Sequence, residues 1–244
     1  MSSRDVCLTR SQEVLCLREL GLIATTEVSS GGVGGFTLRG VAEAKIGPPQ
    51  RTALISGSMS WRPHPDLVHT VRGCIGSVLC ETAEARFERD AWLAILESDP
   101  GTLTREGNPA HFTASALPVS QNLDMVCLVL HRRIGLWVQP GGHFEPDDHS
   151  VWDAALRETL EETGLSGTVS SKPIDTSRHP APCGVGDWHL DLRFLLVVDE
   201  DQPDDEQLTL SEESHDVGWF PVDDLPEQIV PDLVATVSGL QEVR

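Results

Sequence analysis

The 244-residue sequence contains no tyrosine, and aromatic residues make up only 5% of it. No apolar run approaches the roughly 20 residues that span a bilayer. The first residues carry early charges without a sustained apolar stretch, so a signal peptide is not expected. Six cysteines, at 7, 16, 74, 80, 127 and 183, show no CxxC spacing. That spacing offers no zinc ribbon or redox pair, and the expected setting is reduced and cytoplasmic. Basic residues are also scarce, 18 against 38 acidic.

The resulting charge of −20 is unevenly placed. Residues 1–85 hold eight basic and eight acidic residues, and the remainder holds ten and thirty. Such a surface argues against nucleic acid or an anionic membrane as partner. It also repels phosphorylated small molecules, so an anionic substrate needs metal ions or local Arg and Lys. The length suits one good core or two small domains.

Residues 1–80 show no motif and no sustained amphipathic pattern. Gln12 to Gly21 is compatible with a short helix, and Ser29 to Gly35 with a flexible break. Gly47-Pro48-Pro49 and Arg62-Pro63-His64-Pro65 interrupt the remainder. Thr52 to Ile55 and Val71 to Leu79 are strand-like without clear alternation. The segment reads as a poorly ordered extension or a small accessory segment, because the charge character changes near residue 85.

From Glu81 onward the pattern is firmer. Glu81 to Glu97 reads as an amphipathic helix ended by Asp99-Pro100-Gly101. Thr113 to Val119, Met125 to His131 and Leu136 to Gln139 read as strands. Leu165 to Ser170 suits a short strand, and Lys172 to Asp187 reads as a polar loop. Trp188 to Val198 alternates and then becomes continuously apolar, as a core strand does. Ser211 to Asp216 precedes a strand at Val217 to Pro221, and Pro231 to Val243 closes the chain as a helix.

The densest chemistry lies between Gly141 and Leu165. Gly141-Gly142 permits a tight turn after Pro140. Asp147, Asp148 and Ser150 offer helix caps, Val151 to Thr163 contains no Gly or Pro, and Gly164 ends the helix. Glu158, Glu161 and Glu162 fall at i, i+3 and i+4, so they share a face. Trp152, Leu156, Leu160 and Thr163 would then face a core, with Ala154 and Ala155 flanking the acids. Clustered carboxylates repel unless solvated or bound to cations, and hard oxygen donors suit Mg²⁺, Mn²⁺ or Ca²⁺.

The run resembles the signature box of the Nudix hydrolases, from Gly142 through Arg157-Glu158-x-x-Glu161-Glu162-x-Gly164-Leu165. The departures are Asp148 at the first acidic position, one extra residue before Arg157, and Thr159 where an aliphatic residue is usual. The resemblance covers about 110–230 and includes the aromatic strand ending in Pro221 and the Asp223-Asp224-Leu225-Pro226 tail. It implies an α/β/α sandwich with a mixed β-sheet; the helix at Glu81 to Glu97 precedes it, and the expected domain spans 81–244 with 1–80 as the extension. It also implies hydrolysis of a nucleoside diphosphate linked to a group X, by water attack on phosphorus, with Mg²⁺ or Mn²⁺.

By position in the box, Glu158, Glu161 and Glu162 are metal ligands, and the Gly141 carbonyl is a further candidate. Arg157 is expected to orient the acids through ion pairs. The general base stays open among Glu161, Glu162, Glu212, Glu213 and Asp216, and Glu145 is a further carboxylate before the helix. Substrate phosphates need cations, for which Arg132, Arg133 and Arg193 are candidates, with an internal ion pair as the alternative for Arg193. His143 follows the Gly-Gly turn and can touch substrate or orient a carboxylate. The expected partner is a small phosphoanhydride, and a homodimer stays open. A Nudix-fold binding module that has lost catalysis, and an isomerase of isoprenoid diphosphates, are the competing classes. The intact carboxylates favour hydrolysis over the first, and the scattered cysteines weigh against the second.

Overall fold

The computed structural model describes residues 61–80, 82–105, 108–180, 183, 187–199 and 203–243. They fall within one compact unit, 59–244. The readings of Gln12 to Gly21, Ser29 to Gly35, Gly47 to Pro49 and Thr52 to Ile55 lie outside the described residues.

Two helices come first, α1 (Pro65–Ser77) and α2 (Ala83–Ser98). Then follow β1 (Ala110–Val119), β2 (Met125–His131), β3 (Trp137–Val138), β4 (Gly141–His143) and α3 (Val151–Thr163). The chain continues through β5 (Gly167–Val169), β6 (Asp175–Pro180), β7 (Trp188–Val198), β8 (Ser214–Pro221) and α4 (Pro231–Val243). Among the described residues no helix is long and apolar enough to cross a membrane.

The eight strands form one mixed sheet. Its centre is the parallel pair β1 and β7, in register from Ala110↔Trp188 to Val119↔Val197. All other pairings are antiparallel: β2 and β4 on β1, β5 and β6 on β7, β3 and β8 on β2. One face of the central pair presents Phe112, Ala114, Leu190, Leu192 and Phe194 to a core shared with α1, α2 and α3. The other presents Leu117 and Val119 to a second core with Leu233, Val237 and Leu240 of α4. The result is helices on both faces of a mixed sheet, as the resemblance implies.

The structure corrects the reading of 65–77. Val71 belongs to a helix, and the division at residue 80 follows no break in the packing. Leu67, Val71, Cys74 and Ile75 are buried in the same core as α3. Their spacing of i, i+4, i+7 and i+8 is one helical stripe. Pro65 occupies the first turn, where a missing N–H costs nothing, and His64 Nδ1 caps Asp66 N–H at 3.2 Å. Thr70 Oγ1 accepts the Val151 N–H at 3.1 Å, so α1 also satisfies an orphan donor at the start of α3.

A second correction concerns 172–187, which carries β6 rather than only a loop. Asp175, Ser177 and His179 pair with Arg193, Asp191 and His189 of β7 on a polar face of the sheet. With polar side chains alternating against polar ones, the two-residue period leaves no hydropathy signal. β8 also begins earlier than Val217, at Ser214.

Candidate active site

Helix α3 starts with Ser150 Oγ accepting the Asp153 N–H at 3.2 Å. It ends at Gly164, whose φ of 75° is the left-handed conformation that glycine adopts without a Cβ penalty. Its buried stripe is Val151, Ala154, Ala155, Thr159, Glu162 and Thr163. Thr163 is buried and Trp152 and Leu156 pack against the core as expected, but Leu160 is 54% exposed and both alanines are fully buried. Small side chains let the helix lie close on the sheet, and a Leu on that stripe would hold it away. Thr159, the departure from an aliphatic residue, is fully buried and donates its hydroxyl to the Ala155 carbonyl at 2.8 Å.

That rotation turns two of the three acids inward. The Glu158 side chain is 14% exposed and the Glu161 side chain 56%. Glu162 is buried. Strand β4 presses against Glu158: a Cβ on Gly142 would lie 2.6 Å from Glu158 Oε1, so a larger residue there would displace that carboxylate.

Arg157 is the hub. Its Nε and Nη2 donate to the two oxygens of Asp148 at 3.2 and 2.9 Å. Nη1 donates to Glu158 at 3.0 Å and Glu161 at 3.2 Å, and Nη2 also reaches the His143 carbonyl at 2.8 Å. Asp148 is buried and also accepts the Glu145 N–H at 2.8 Å. The shifted first acid of the box is therefore the bidentate partner that aims Arg157.

One guanidinium does not neutralise the cluster. Burial pushes the Glu158 carboxyl up to about 7, opposed by Arg157 and abetted by Glu161 and Glu213. Burial also pushes Glu162 up to about 8, reinforced by Glu158, Glu213 and Glu161 and opposed by the Gly141 N–H. A pair of buried carboxylates whose negative charge is held back by desolvation and mutual repulsion is a hard-cation site in its chemistry.

The remaining candidates divide. The Glu213 side chain is exposed, yet its charge is felt by both Glu158 and Glu162. Arg132 braces that segment, donating its N–H to the Glu213 carbonyl at 3.0 Å and Nη2 to the Ser214 carbonyl at 3.0 Å. Asp216 lies on β8 opposite Leu130, and its carboxylate accepts the Val217 N–H at 2.9 Å. Glu145 is exposed and contributes its backbone to Asp148.

Arg193 is placed in an internal ion pair rather than at a substrate surface. It is 1% exposed, with Nη1 on Asp175 (3.1 Å) and Thr236 (3.0 Å) and Nη2 on Asp232 (3.0 Å). Burial alone would raise the Asp232 carboxyl, but Arg193 and the Ser177 hydroxyl hold it below its ordinary value. Beside this network Asp191 is buried, accepting hydroxyls of Thr113 at 2.8 Å and Ser115 at 2.5 Å. Sequence reasoning passed over Asp191; an Asp alternating with Leu190 and Leu192 in a core strand was its only signal. The His143 ring packs against His111 and His189 and not against the box carboxylates.

A model of the NUDIX domain family matches residues 109–237. The chain is similar to the m7GpppN-mRNA hydrolase NUDT17 of Bos taurus, at 31% identity over 114 residues, covering 44% of this chain and 35% of that protein. It is also similar to the putative 8-oxo-dGTP diphosphatase of Bacillus subtilis (strain 168), at 37% over 62 residues, covering 25% of this chain and 41% of that one. The chain thus spans well under half the length of either curated relative. Among solved structures, a C. elegans Ap4A hydrolase binary complex is similar at 20% identity and a TM-score of 0.45, covering 54% of this chain and 96% of that one. A NUDIX-family hydrolase from Clostridium perfringens is similar at 23% identity and a TM-score of 0.44, covering 55% and 98%.

Proposed function

The chain belongs to the NUDIX domain family, and from that premise we propose that it is a divalent-metal-dependent pyrophosphohydrolase that cleaves the diphosphate linkage of a nucleoside diphosphate joined to a second group. The observation that carries this reading is the pair Glu158 and Glu162, buried together with their carboxyls pushed up to about 7 and 8. A binding module could dispense with so costly an arrangement, whereas a hydrolase needs it.

The residues fit the ion that the family implies. Glu158 and Glu162 supply carboxylate oxygens, Glu161 supplies a third at the mouth, and the Gly141 carbonyl is a further donor; Mg²⁺ or Mn²⁺ is the matching hard cation. When bound, such an ion neutralises diphosphate oxygens and makes water a stronger acid. Arg157, held by Asp148, keeps Glu158 and Glu161 oriented and ties α3 to the His143 carbonyl of β4. Glu213 is the proposed general base. It stands at the edge of the carboxylate cluster, it is exposed enough to meet water, and Arg132 fixes its backbone. Asp216 is the weaker choice because its carboxylate is engaged with its own strand. Arg132 remains a candidate for substrate phosphate, since it is exposed beside Glu213.

The test is a panel of nucleotide sugars, dinucleoside polyphosphates, ADP-ribose and damaged nucleoside triphosphates. Native protein is compared with Glu162→Gln, with Mg²⁺, with Mn²⁺ and with chelator. Hydrolysis by native protein with metal, abolished by chelator and by the substitution, is the expected result. Tight nucleotide binding without turnover of any member would favour the binding-module reading.

A further inference from the structure

Three strands bring imidazoles to one end of the sheet. His111 lies at the start of β1, and His189 is its register partner on parallel β7. His143 ends β4 opposite Thr113, two residues along from His111. Register partners, and residues two apart on one strand, project from the same face, so the three rings converge. Cys183, in the β6–β7 connection, completes the group.

The ligand atoms are close to mutual contact. His111 Nε2 lies 3.1 Å from His143 Nε2. Cys183 Sγ lies 3.2 Å from His143 Nε2 and 3.3 Å from His189 Nε2. Among the described residues these four form one group in which a ligand atom from each lies within 4.8 Å of all the others. Tetrahedral zinc, with Zn–N near 2.0–2.1 Å and Zn–S near 2.3 Å, holds its donors about 3.3 to 3.6 Å apart. The three shortest separations, 3.1 to 3.3 Å, fall within a few tenths of an ångström of that range, and the remaining pairs lie within 4.8 Å.

The tautomer is set as a ligand requires. His111 Nδ1 lies 3.2 Å from the Asn108 carbonyl, which can only accept, so Nδ1 carries the proton and Nε2 presents its lone pair to the cluster. Shared protons also fit these contacts, His143 Nε2–H on His111 Nε2 and Cys183 Sγ–H on His189 Nε2, so retained metal is the readout that separates the two.

We propose that His111, His143, His189 and Cys183 form a tetrahedral site for a divalent transition metal, Zn²⁺ by ligand preference, distinct from the carboxylate site on α3. Three imidazoles and a thiolate are borderline-soft donors that select zinc over the magnesium suited to Glu158 and Glu162. Four protein ligands leave no open position, so the site is structural: it clasps the β6–β7 connection onto β1 and β4. Through the His143 carbonyl, which receives Arg157 at 2.8 Å, the clasp also steadies the strand on which that arginine leans. The absence of CxxC spacing concealed the site, because its donors come from four separate segments. The inference is independent of the hydrolase reading.

The experiment uses the full chain in excess Mg²⁺, loaded with Zn²⁺ and desalted. Zinc is counted by elemental mass spectrometry, and affinity is read by competition with a chromophoric chelator. Native protein and Glu162→Gln should each retain one zinc per chain. His189→Ala and Cys183→Ser should bind at least about 100-fold more weakly, no less than the loss of an outer-shell partner costs. Cobalt-substituted native protein should show tetrahedral visible bands and a thiolate charge-transfer band, with the latter missing in Cys183→Ser. Position 183 is exposed, so that variant stays folded even if His189→Ala does not. No retained zinc in native protein, equal retention in Cys183→Ser, or loss in Glu162→Gln would each overturn the proposal.

Discussion

Removing bound metal should make folding stability fall as pH rises above neutrality, and the size of the fall follows from two carboxyls. Glu158 and Glu162 titrate near 7 and 8 in the folded protein against 4.5 for the free side chain. A raised carboxyl binds more protons folded than unfolded, so its ionisation opposes folding between the unfolded and folded values. Below about pH 6.5 the half-buried His143 and His189 act in the other direction, because desolvation and mutual repulsion lower them and acid must protonate them on unfolding. The carboxyls therefore dominate the window between pH 6.5 and 8.5, where the two histidines return only about 0.4 kcal/mol each. At about 1.4 kcal/mol per pH unit, Glu162 loses about 2 kcal/mol across it and Glu158 about 0.7. Part of each shift is the other's charge, so the joint loss is about 2 kcal/mol. Urea unfolding in chelator at the two pH values measures it. Glu162→Gln should remove most of the slope, and saturating Mg²⁺ should stabilise more at pH 8.5 than at 6.5. Calorimetry in buffers of different ionisation enthalpy should show about one proton released per ion bound at pH 7. A flat or rising stability across the window, with no proton release, would refute the uncompensated-carboxylate reasoning.

Four further outcomes are expected. Ile75→Ala should cost about 2–4 kcal/mol in urea unfolding, because Ile75 is 1% exposed in the core beneath α3; a cost below ~0.5 kcal/mol would restore the extension reading of 65–77. Asp148→Ala should cost about 2–3 kcal/mol, since it strands two Arg157 donors and the Glu145 N–H, and kcat should fall with it; unchanged stability would remove Asp148 from the hub. Glu213→Gln should lower kcat about 10²- to 10⁴-fold with little change in metal affinity and with loss of the acidic limb of the pH–rate profile; wild-type kcat would pass the role to Glu161 or Glu162. Arg193→Ala should destabilise by about 1–3 kcal/mol, the loss of the buried guanidinium's packing and hydrogen bonds, because water partly screens the half-exposed Asp175 and Asp232 left behind, while KM of the folded fraction stays within about twofold; a large KM change at unchanged stability would return Arg193 to the substrate.

What could be read in the sequence followed local periodicity. The i, i+3, i+4 spacing of Glu158, Glu161 and Glu162, the Ser150 cap and Gly164 are properties of one helix, and the apolar runs of β2 and β7 are properties of single strands. The inward face of α3 departs from its hydropathy only at Leu160 and the two alanines, because hydropathy ranks Leu160 above Ala154 whereas close packing on a sheet selects for size. Helix α1 was missed because prolines before position 65 read as breaks, although Pro65 sits where a helix tolerates it. The Arg193 ion pair draws Asp175 and Asp232 from elements 18 and 39 residues away. The histidine group joins His111 to His143 and His143 to Cys183 across 32 and 40 residues. Contacts of that kind are set by strand order, which no single segment encodes.

Hydrolysis in water enriched in oxygen-18, with whichever diphosphate the protein turns over, tests the central claim most directly. Metal-loaded native protein should place a single heavy oxygen on one phosphate product per turnover, and Glu162→Gln should form that product at least about 10²-fold more slowly under the same metal concentration. Label appearing on a carbon centre, product forming without metal, or a Glu162→Gln rate equal to the native one would contradict it.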